Sequence, residues 1–278
     1  MKIYNPNISK QILGGGWTFR CNLTKALRDQ VEWVDNLLMA DIMLITSVTI
    51  VDKAEVFKAK ELGKKIVLRV DNMPRKSRNQ RMSPHERMKE FAQMADAVVY
   101  QSNWAKEWIG NYIGYPEKSS VIYNGVDTEI FKLISRKMRH FGKLFLYIQY
   151  NRDENKRMPE AFDMFTKEWL RDNKNELWII GQYSPELVQS GFDFFRGEHI
   201  KYLGVVNTPE EMAIYMQLAD VLLYPSYSDA LPNTVIEAKA CGCEIWHNGH
   251  AGVGEAATIP DPSLQRMGNE YLSLFERL

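Results

Sequence analysis

The sequence predicts an α/β protein made of two Rossmann-like halves, each with a parallel β-sheet. Short apolar runs rich in β-branched and aromatic residues recur along the chain, and longer amphipathic stretches separate them. Runs that are apolar on both faces are typical of strands buried in a parallel sheet, and the stretches between them are typical of crossover helices. The alternation pauses once, near the middle of the 278 residues, which suffice for two separate cores.

Strands and helices can be assigned in order along both halves. The predicted strands of the first half are Lys2–Tyr4, Asp41–Thr46, Ile66–Val70, Ala97–Gln101 and Ser120–Tyr123. Those of the second half are Leu144–Gln149, Leu177–Ile180, Ile200–Leu203, Val221–Tyr224 and Glu244–His247. The predicted helices are Thr18–Gln30, Asp52–Leu62, Pro84–Met94, Asn103–Tyr112, Pro159–Arg171, Pro209–Leu218 and Asn233–Ala240, with an amphipathic helix at 262–278.

The pause in the alternation marks a domain boundary. The segment Glu129–Phe141 is basic and fits neither a core strand nor a long amphipathic helix, so we expect a linker at 132–141. The predicted domains are 1–131 and 142–261, and the helix at 262–278 is a candidate to pack back on the first domain. Two facing Rossmann-like domains place the carboxyl ends of both sheets at a central cleft, where ligands bind in such folds.

Composition excludes several classes of protein. The chain has 35 basic and 35 acidic residues, so net charge gives no argument for a nucleic-acid partner or for an anionic membrane. No apolar run is long enough to span a bilayer, and the first residues lack the apolar stretch of a secretion signal. The three cysteines favour a cytoplasmic protein without a disulfide framework. A local basic cluster, Arg75–Arg81, leaves a membrane-surface acceptor possible but unsupported, because such a cluster is more often a solvated loop.

The most informative stretch lies between the ninth predicted strand and the helix after it. Two carboxylates stand eight residues apart there, Asp229 in a loop and Glu237 in the first turns of the helix. The helix opens near Pro232 and Asn233, because proline suits a first turn and asparagine caps one. The backbone at Asn233 and Thr234 therefore offers an anion cradle, and a carboxylate just inside it can accept hydrogen bonds from two ribose hydroxyls. The stretch predicts a nucleotide-sugar site.

A basic run follows the first strand of the second half. Arg152 comes three residues after that strand, and Lys156 and Arg157 follow four and five residues later. Arginine makes charge-assisted, bidentate bonds to phosphate, and lysine adds a point charge. Charge runs are usually solvated, but a run directly after the first strand of a Rossmann-like half favours a clamp for a diphosphate.

Two further strand ends are candidates for the nucleobase. Gly181 and Tyr183 follow one strand, and Val206 follows the next. Such an edge can hold a base through backbone groups and an aromatic ring. An ordinary strand-to-loop glycine explains Gly181 equally well, and both interpretations stay open.

The first half has weaker candidates. Gly15 and Gly16 belong to a glycine cluster before the first predicted helix, which would expose amides to a phosphate, although such clusters are more often flexible turns. Asp71 ends the third predicted strand at the carboxyl edge of the sheet, where a catalytic or sugar-binding role and a bracing role with Arg75 are equally supported.

Histidine and cysteine provide no recognisable catalytic or metal-binding pattern. The five histidines match no triad or zinc-type spacing, and His247 and His250 are best explained as loop residues with ordinary hydrogen bonds. Cys241 and Cys243 are best explained as small residues in a helix-to-strand turn. We therefore predict no metal site.

Together these residues give the chain a resemblance to the family 4 retaining glycosyltransferases, the glycosyl transferases group 1. That family has the GT-B fold, in which two Rossmann-like domains with parallel sheets face a central cleft. The resemblance extends over most of the chain and is strongest in its later part. The motifs that carry it are Asp96–Ser102, Val121–Asp127, Arg152 with Lys156, and Asp229 with Glu237.

The resemblance implies a role for each matching residue. Glu237 would hold the ribose hydroxyls of a nucleotide diphosphate-sugar, and Asp229, which stands where the family usually has glutamate, would lie near the donor sugar. Arg152 and Lys156 would offset the charge that develops on the departing diphosphate. The usual spacing of this pair is slightly longer, so Arg157 is a candidate to share or replace the role of Lys156.

The resemblance also implies a reaction. A hexosyltransferase-type enzyme would move the sugar to a hydroxyl of a glycan, lipid or protein, with retention of the anomeric configuration and without a metal or other cofactor. The glycine cluster would close on the phosphates, and Asp71, where many members have histidine, is the fourth predicted catalytic residue. Two alternatives remain: a nucleotide-sugar 2-epimerase of the same fold, and a non-catalytic protein that binds a nucleotide-sugar or a glycan.

Overall fold

The computed structural model describes residues 1–6, 15–49, 51–70, 84–114, 118–134, 142–149, 156–182 and 198–278. The chain divides into two compact units. Unit 1 comprises Met1–Gly125 and Pro260–Leu278, and unit 2 comprises Val126–Ile259. The division falls six residues before the predicted boundary at 131. Of the predicted linker, 135–141 lies outside the described residues, and the carbonyl of Lys132 accepts a hydrogen bond from Gln217 at 3.1 Å.

Unit 1 contains a six-stranded parallel sheet in the order β2-β1-β3-β4-β5-β6. Its strands are β1 (Lys2–Tyr4), β2 (Glu32–Val34), β3 (Ile42–Ile45), β4 (Lys65–Arg69), β5 (Ala97–Tyr100) and β6 (Ser119–Val121). The helices between them are α1 (Gly15–Ala26), α2 (Lys53–Glu61), α3 (Pro84–Met94) and α4 (Asn103–Ile113). Strands β3 and β5 are buried along their whole length, as a doubly covered parallel sheet requires.

Unit 2 contains a five-stranded parallel sheet in the order β11-β10-β7-β8-β9. Its strands are β7 (Leu144–Gln149), β8 (Glu176–Gly181), β9 (Ile200–Gly204), β10 (Val221–Leu223) and β11 (Glu244–Trp246). The described helices are α5 (Met158–Arg171), α6 (Pro209–Leu218), α7 (Asn233–Ala240) and α8 (Val253–Thr258). Because β7 lies at the centre of the order, its carboxyl end lies at the middle of the sheet edge.

Helix starts follow the local sequence. Asp52, Ser102, Thr208 and Ser263 cap α2, α4, α6 and the C-terminal helix α9 (Leu264–Phe275), each through a side-chain oxygen that accepts a backbone N–H of the first turn. These caps satisfy donors that would otherwise have no partner at a helix N-terminus.

Helix α9 completes the core of unit 1. Tyr271 is fully buried, and its ring centroid lies 5.6 Å from that of Phe19 of α1. Gly268 allows close packing, because a Cβ at this position would lie 3.0 Å from the Cβ of Ala26. Arg266 fixes the start of the helix by donating to the carbonyls of Tyr123 and Asn124 at 2.8 and 2.9 Å. The chain therefore returns to unit 1 after unit 2 is complete.

The structure corrects the sequence interpretation at three places. Strand β2 and helix α8 were not predicted, because β2 has three residues, none of them fully buried, and α8 has six residues. Gly15 and Gly16 do not lie in a loop before the first helix, since α1 begins at Gly15.

Across the described residues, no helix combines the length and the apolar character needed to cross a membrane.

Candidate functional site

Described residues that follow β7, β10 and β11 meet at the carboxyl edge of the unit 2 sheet, because these three strands are neighbours. Asn248, after β11, donates from Nδ2 to the carbonyl of Pro225, after β10, at 2.7 Å. The N–H of Gly252 donates to the backbone carbonyl of Asp229 at 2.8 Å. Lys156, which ends the segment after β7, reaches the loop after β10 with its side chain. Ligands bind at this edge in open parallel α/β sheets.

The structure brings Lys156 and Asp229 together in a largely buried ion pair. Lys156 Nζ lies 2.8 Å from Asp229 Oδ2, and the two side chains are 22% and 15% exposed. The same Oδ2 atom accepts hydrogen bonds from the hydroxyls of Tyr224 at 2.8 Å and Ser226 at 2.7 Å. Lys156 Nζ also donates to the Tyr224 hydroxyl oxygen. Sequence reasoning identified the two charged residues and missed the two hydroxyls.

These contacts determine the charge of Asp229. Burial alone would raise the pKa of its carboxyl, but the charge of Lys156 and the hydrogen bonds from Lys156, Ser226 and Tyr224 lower that pKa to about 2. Asp229 is therefore ionised at neutral pH. The three hydrogen bonds that its Oδ2 atom accepts hold the Asp229 carboxylate in one position.

Glu237 differs from Asp229. It lies in the second turn of α7, is partly buried, and has no hydrogen bond or ion pair with any side chain among the described residues. Burial raises the pKa of its carboxyl to about 7. The oxygens of this carboxyl group can accept hydrogen bonds from hydroxyl groups of a ligand. Such bonds would replace the hydrogen bonds to water that the group loses when it is buried.

Arg157 takes part in a second cluster at the same edge. It adopts a left-handed backbone conformation, with φ 57° and ψ 50°, immediately before α5. Its guanidinium pairs with Glu160, and its Cζ lies 4.8 Å from the ring centroid of Tyr227. The ring of His250 also packs on the ring of Tyr227, with the ring centroids 4.6 Å apart and the ring planes at 31°. Tyr227 thus joins residues from the loops after β7 and β11, a role that the sequence did not indicate.

Helix α7 has the predicted bounds, but the predicted roles at its start are reversed, because Pro232 occupies the cap position and Asn233 is the first helical residue. The helix begins at Asn233 after Pro232, whose side chain cannot cap it, and the first turn contains no acidic residue. Thr234 lies in this first turn, and Glu237 follows one turn later. The positive end of the helix dipole is therefore not neutralised by an acid of its own first turn.

Gly181 has a structural requirement of its own. Its φ is +126°, and a Cβ at this position would lie 1.6 Å from the carbonyl oxygen of Gln149 on the neighbouring strand. Its carbonyl accepts a hydrogen bond from the hydroxyl of Tyr202 at 2.5 Å. Val206 is buried, and Tyr183 lies outside the described residues. The packing of Gly181 supports the ordinary structural explanation.

Several predicted site residues lie outside the described part of the chain. These are Asp71, Arg152 and Tyr183, together with the basic cluster Arg75–Arg81. Among the described residues, no group of three or more His, Cys, Asp and Glu side chains could hold a metal ion. Cys241 and Cys243 are both buried, and Cys243 Sγ donates to the carbonyl of Met216 at 3.0 Å.

Unit 1 has an open cavity that the sequence analysis did not identify. Its volume is about 680 Å³, and it lies where β1 and β2 end and α2 begins. Three carboxylates, one ammonium group and a tyrosine hydroxyl supply its charged and polar side chains, with Tyr4 OH donating to Glu55. Its lining residues are Tyr4, Asp35, Asn36, Leu37, Asp52, Ala54, Glu55 and Lys58.

Comparisons with known proteins place both units in one family. The family model Glycosyl transferases group 1 matches residues 144–255, and the model Glycosyltransferase Family 4 matches residues 53–130. The capsular polysaccharide biosynthesis glycosyltransferase CapH of Staphylococcus aureus is 24% identical over 155 residues. That match covers 53% of this chain and 41% of CapH, so it spans less than half of the relative's length.

Solved structures agree with the fold over nearly the whole chain. HepE of Anabaena, in complex with UDP and glucose, is similar with a TM-score of 0.74 at 12% identity, covering 99% of this chain and 90% of HepE. Sucrose-phosphate synthase of Thermosynechococcus elongatus has a TM-score of 0.68 at 12% identity over the same shares of the two chains. From the two family models and this common architecture, we conclude that the chain belongs to the group 1 glycosyltransferases of family 4 and has the GT-B fold.

Proposed function

We propose that this protein is a retaining glycosyltransferase of hexosyltransferase type. It would move a sugar from a nucleotide diphosphate-sugar to a hydroxyl acceptor without a metal ion. The observation that carries the proposal is the arrangement at the unit 2 sheet edge, where Lys156 is held by Asp229 and the carboxylate of Glu237 is unpaired among the described residues. The UDP and glucose bound to the similar protein HepE support a donor of this class.

The diphosphate and the ribose of the donor each have matching groups. Lys156 and Arg157 supply positive charge to the diphosphate, together with Arg152 on sequence grounds, and the N-terminus of α7 adds its dipole. The carboxylate of Glu237 accepts hydrogen bonds from the two ribose hydroxyls. Cations and backbone amides then do what a divalent metal does in other transferases, which is to stabilise charge on the diphosphate.

The reaction breaks the bond between the anomeric carbon and a diphosphate oxygen, and the diphosphate leaves with the electron pair. The acceptor oxygen forms the new bond to the anomeric carbon on the face that the diphosphate leaves, and its proton passes to the departing diphosphate oxygen. Because charge develops on the diphosphate, its cationic partners matter more in the transition state than in the ground state. Asp71, at the end of β4 by sequence, is proposed as a sugar-side residue.

We assign acceptor binding to unit 1. The cavity at the end of β1 and β2 presents carboxylates, which accept hydrogen bonds from hydroxyl groups. Its location at the carboxyl edge of a parallel sheet is the usual place for a ligand in this architecture.

The experiment is a donor screen followed by turnover. Thermal shift against UDP, GDP, ADP and their sugars identifies the donor, because a bound ligand raises the apparent melting temperature. Product analysis by NMR with a hydroxyl acceptor panel then reads the anomeric configuration. Retained configuration in the product is expected; an inverted product would contradict the retaining assignment. Epimerised sugar without acceptor would support the epimerase, and binding without transfer would support the non-catalytic protein.

A further inference from the structure

Lys156 has one donor left for a ligand. A lysine ammonium has three N–H groups, and Nζ of Lys156 donates to Asp229 Oδ2 and to the hydroxyl oxygen of Tyr224. No other partner of this ammonium exists among the described residues. Its side chain is 22% exposed, so the third N–H remains reachable from solvent.

Tyr224 is held rigidly where it makes this contact. It directly follows β10, its side chain is buried, and its backbone N–H donates to the carbonyl of Trp246 at 2.8 Å. Its hydroxyl accepts from Lys156 and donates to Asp229, so the three side chains form a closed triangle. The ammonium also lies 4.8 Å from the centroid of the Tyr224 ring.

The backbone of Lys156 is anchored separately. The hydroxyl of Tyr147 on β7 contacts the Lys156 carbonyl at 3.0 Å and Gln149 Oε1 at 2.6 Å. Both ends of the lysine are therefore fixed before any ligand arrives. A cation fixed in this way loses little conformational freedom on binding, which is the usual gain from preorganisation.

We propose that Tyr224 is a positioning residue of the donor site. It acts through Lys156: with Asp229 it occupies two of the three ammonium donors and leaves the third for an oxygen of the donor diphosphate. This inference rests on the proposed function, since it assumes that Lys156 binds the diphosphate. Tyr224 itself does not touch the donor.

A double-mutant cycle with UDP as the probe tests the proposal. Lys156→Ala, Tyr224→Phe and the double variant are titrated with UDP by calorimetry. Tyr224→Phe retains the ring and removes only the hydroxyl, so we expect a UDP Kd about fivefold weaker, the usual effect of one hydrogen bond. In the Lys156→Ala background the same change should have no further effect, because the residue that it positions is gone. Tyr215→Phe is the matched control, since that ring packs on Trp178 and no hydroxyl contact of it occurs among the described residues.

The outcomes separate this inference from the proposed function. Equal losses from Tyr224→Phe in both backgrounds would mean that Tyr224 acts independently of Lys156, and would overturn the inference alone. A Lys156→Ala protein that binds UDP as tightly as wild type would overturn the diphosphate role as well. If Tyr224→Phe does not fold, Asp229→Asn replaces it in the cycle, and an additive loss there would equally contradict positioning through the triangle.

Discussion

Glu237 is a residue whose ionisation changes near neutral pH. Burial raises the pKa of its carboxyl to about 7, so about half of the unliganded molecules have a neutral Glu237 at that pH. In the proposed site the ribose hydroxyls would donate to the charged form, so the charged form would bind the nucleotide. The affinity for the nucleotide is therefore linked to the ionisation of Glu237, and it should increase as the carboxyl loses its proton.

From this linkage we predict that the Kd for UDP falls by about tenfold between pH 6 and pH 8, because the ionised fraction rises by that factor across a pKa near 7. Glu237→Gln is the control, since the phosphate of UDP also titrates near pH 6 and the variant retains only that contribution. Calorimetry at several pH values gives the comparison. Parallel pH profiles for the two proteins would exclude Glu237 as the titrating ligand-binding group.

Asp229 should affect stability and not only activity. We predict that Asp229→Asn lowers the free energy of unfolding by about 1.5–3 kcal/mol, because the largely buried Lys156 ammonium loses its charged partner. Urea titration at neutral pH measures the change. The pKa of Asp229 is lowered on folding to about 2, so its contribution is present at neutral pH and is lost as the pH falls towards that value. A variant as stable as wild type at pH 7 would contradict the ion pair.

At the scale of single elements, Gly181 at the end of β8 provides a test of backbone geometry. We predict that Gly181→Ala lowers stability by at least about 3 kcal/mol, because the new Cβ meets the Gln149 carbonyl oxygen in a conformation that only glycine adopts easily. Gly204→Ala is the matched control: its φ is +76°, but no atom lies within 4 Å of the added Cβ, so about 1 kcal/mol is expected. Equal melting temperatures for the two variants would contradict the crowding at Gly181.

Elements were predictable where their pattern was long enough to be distinctive. All ten predicted strands are present. The apolar runs of β3, β5, β7 and β10 are buried along their whole length, whereas β6, β9 and β11 are only partly buried. Strand β2 was missed because its pairing depends on β1 and not on a pattern of its own. Tyr224 and Tyr227 were missed for a similar reason: their partners come from neighbouring strand ends that are distant in sequence, and strand order fixes those contacts.

At the scale of the whole molecule, unit 1 depends on a helix that follows unit 2 in sequence. Tyr271 of α9 is fully buried in the unit 1 core. We predict that Tyr271→Ala lowers the stability of unit 1 by about 3–5 kcal/mol, the usual cost of removing a buried aromatic ring. Hydrogen exchange measures this loss of stability. Relative to wild type, we expect the variant to exchange faster in β1 and β3 of unit 1 than in β7 and β8 of unit 2. Ser273→Ala, on the exposed side of the same helix, is the control; acceleration confined to unit 2 would contradict the assignment of α9.

The central claim is that a nucleotide diphosphate-sugar binds at the carboxyl edge of the unit 2 sheet. A crystal structure with the nucleoside diphosphate selected by the thermal-shift screen tests it most directly. The account predicts a diphosphate oxygen within hydrogen-bond distance of Lys156 Nζ and both ribose hydroxyls on the carboxylate of Glu237. A nucleotide bound at another place in the chain, or one whose ribose does not contact Glu237, would contradict it.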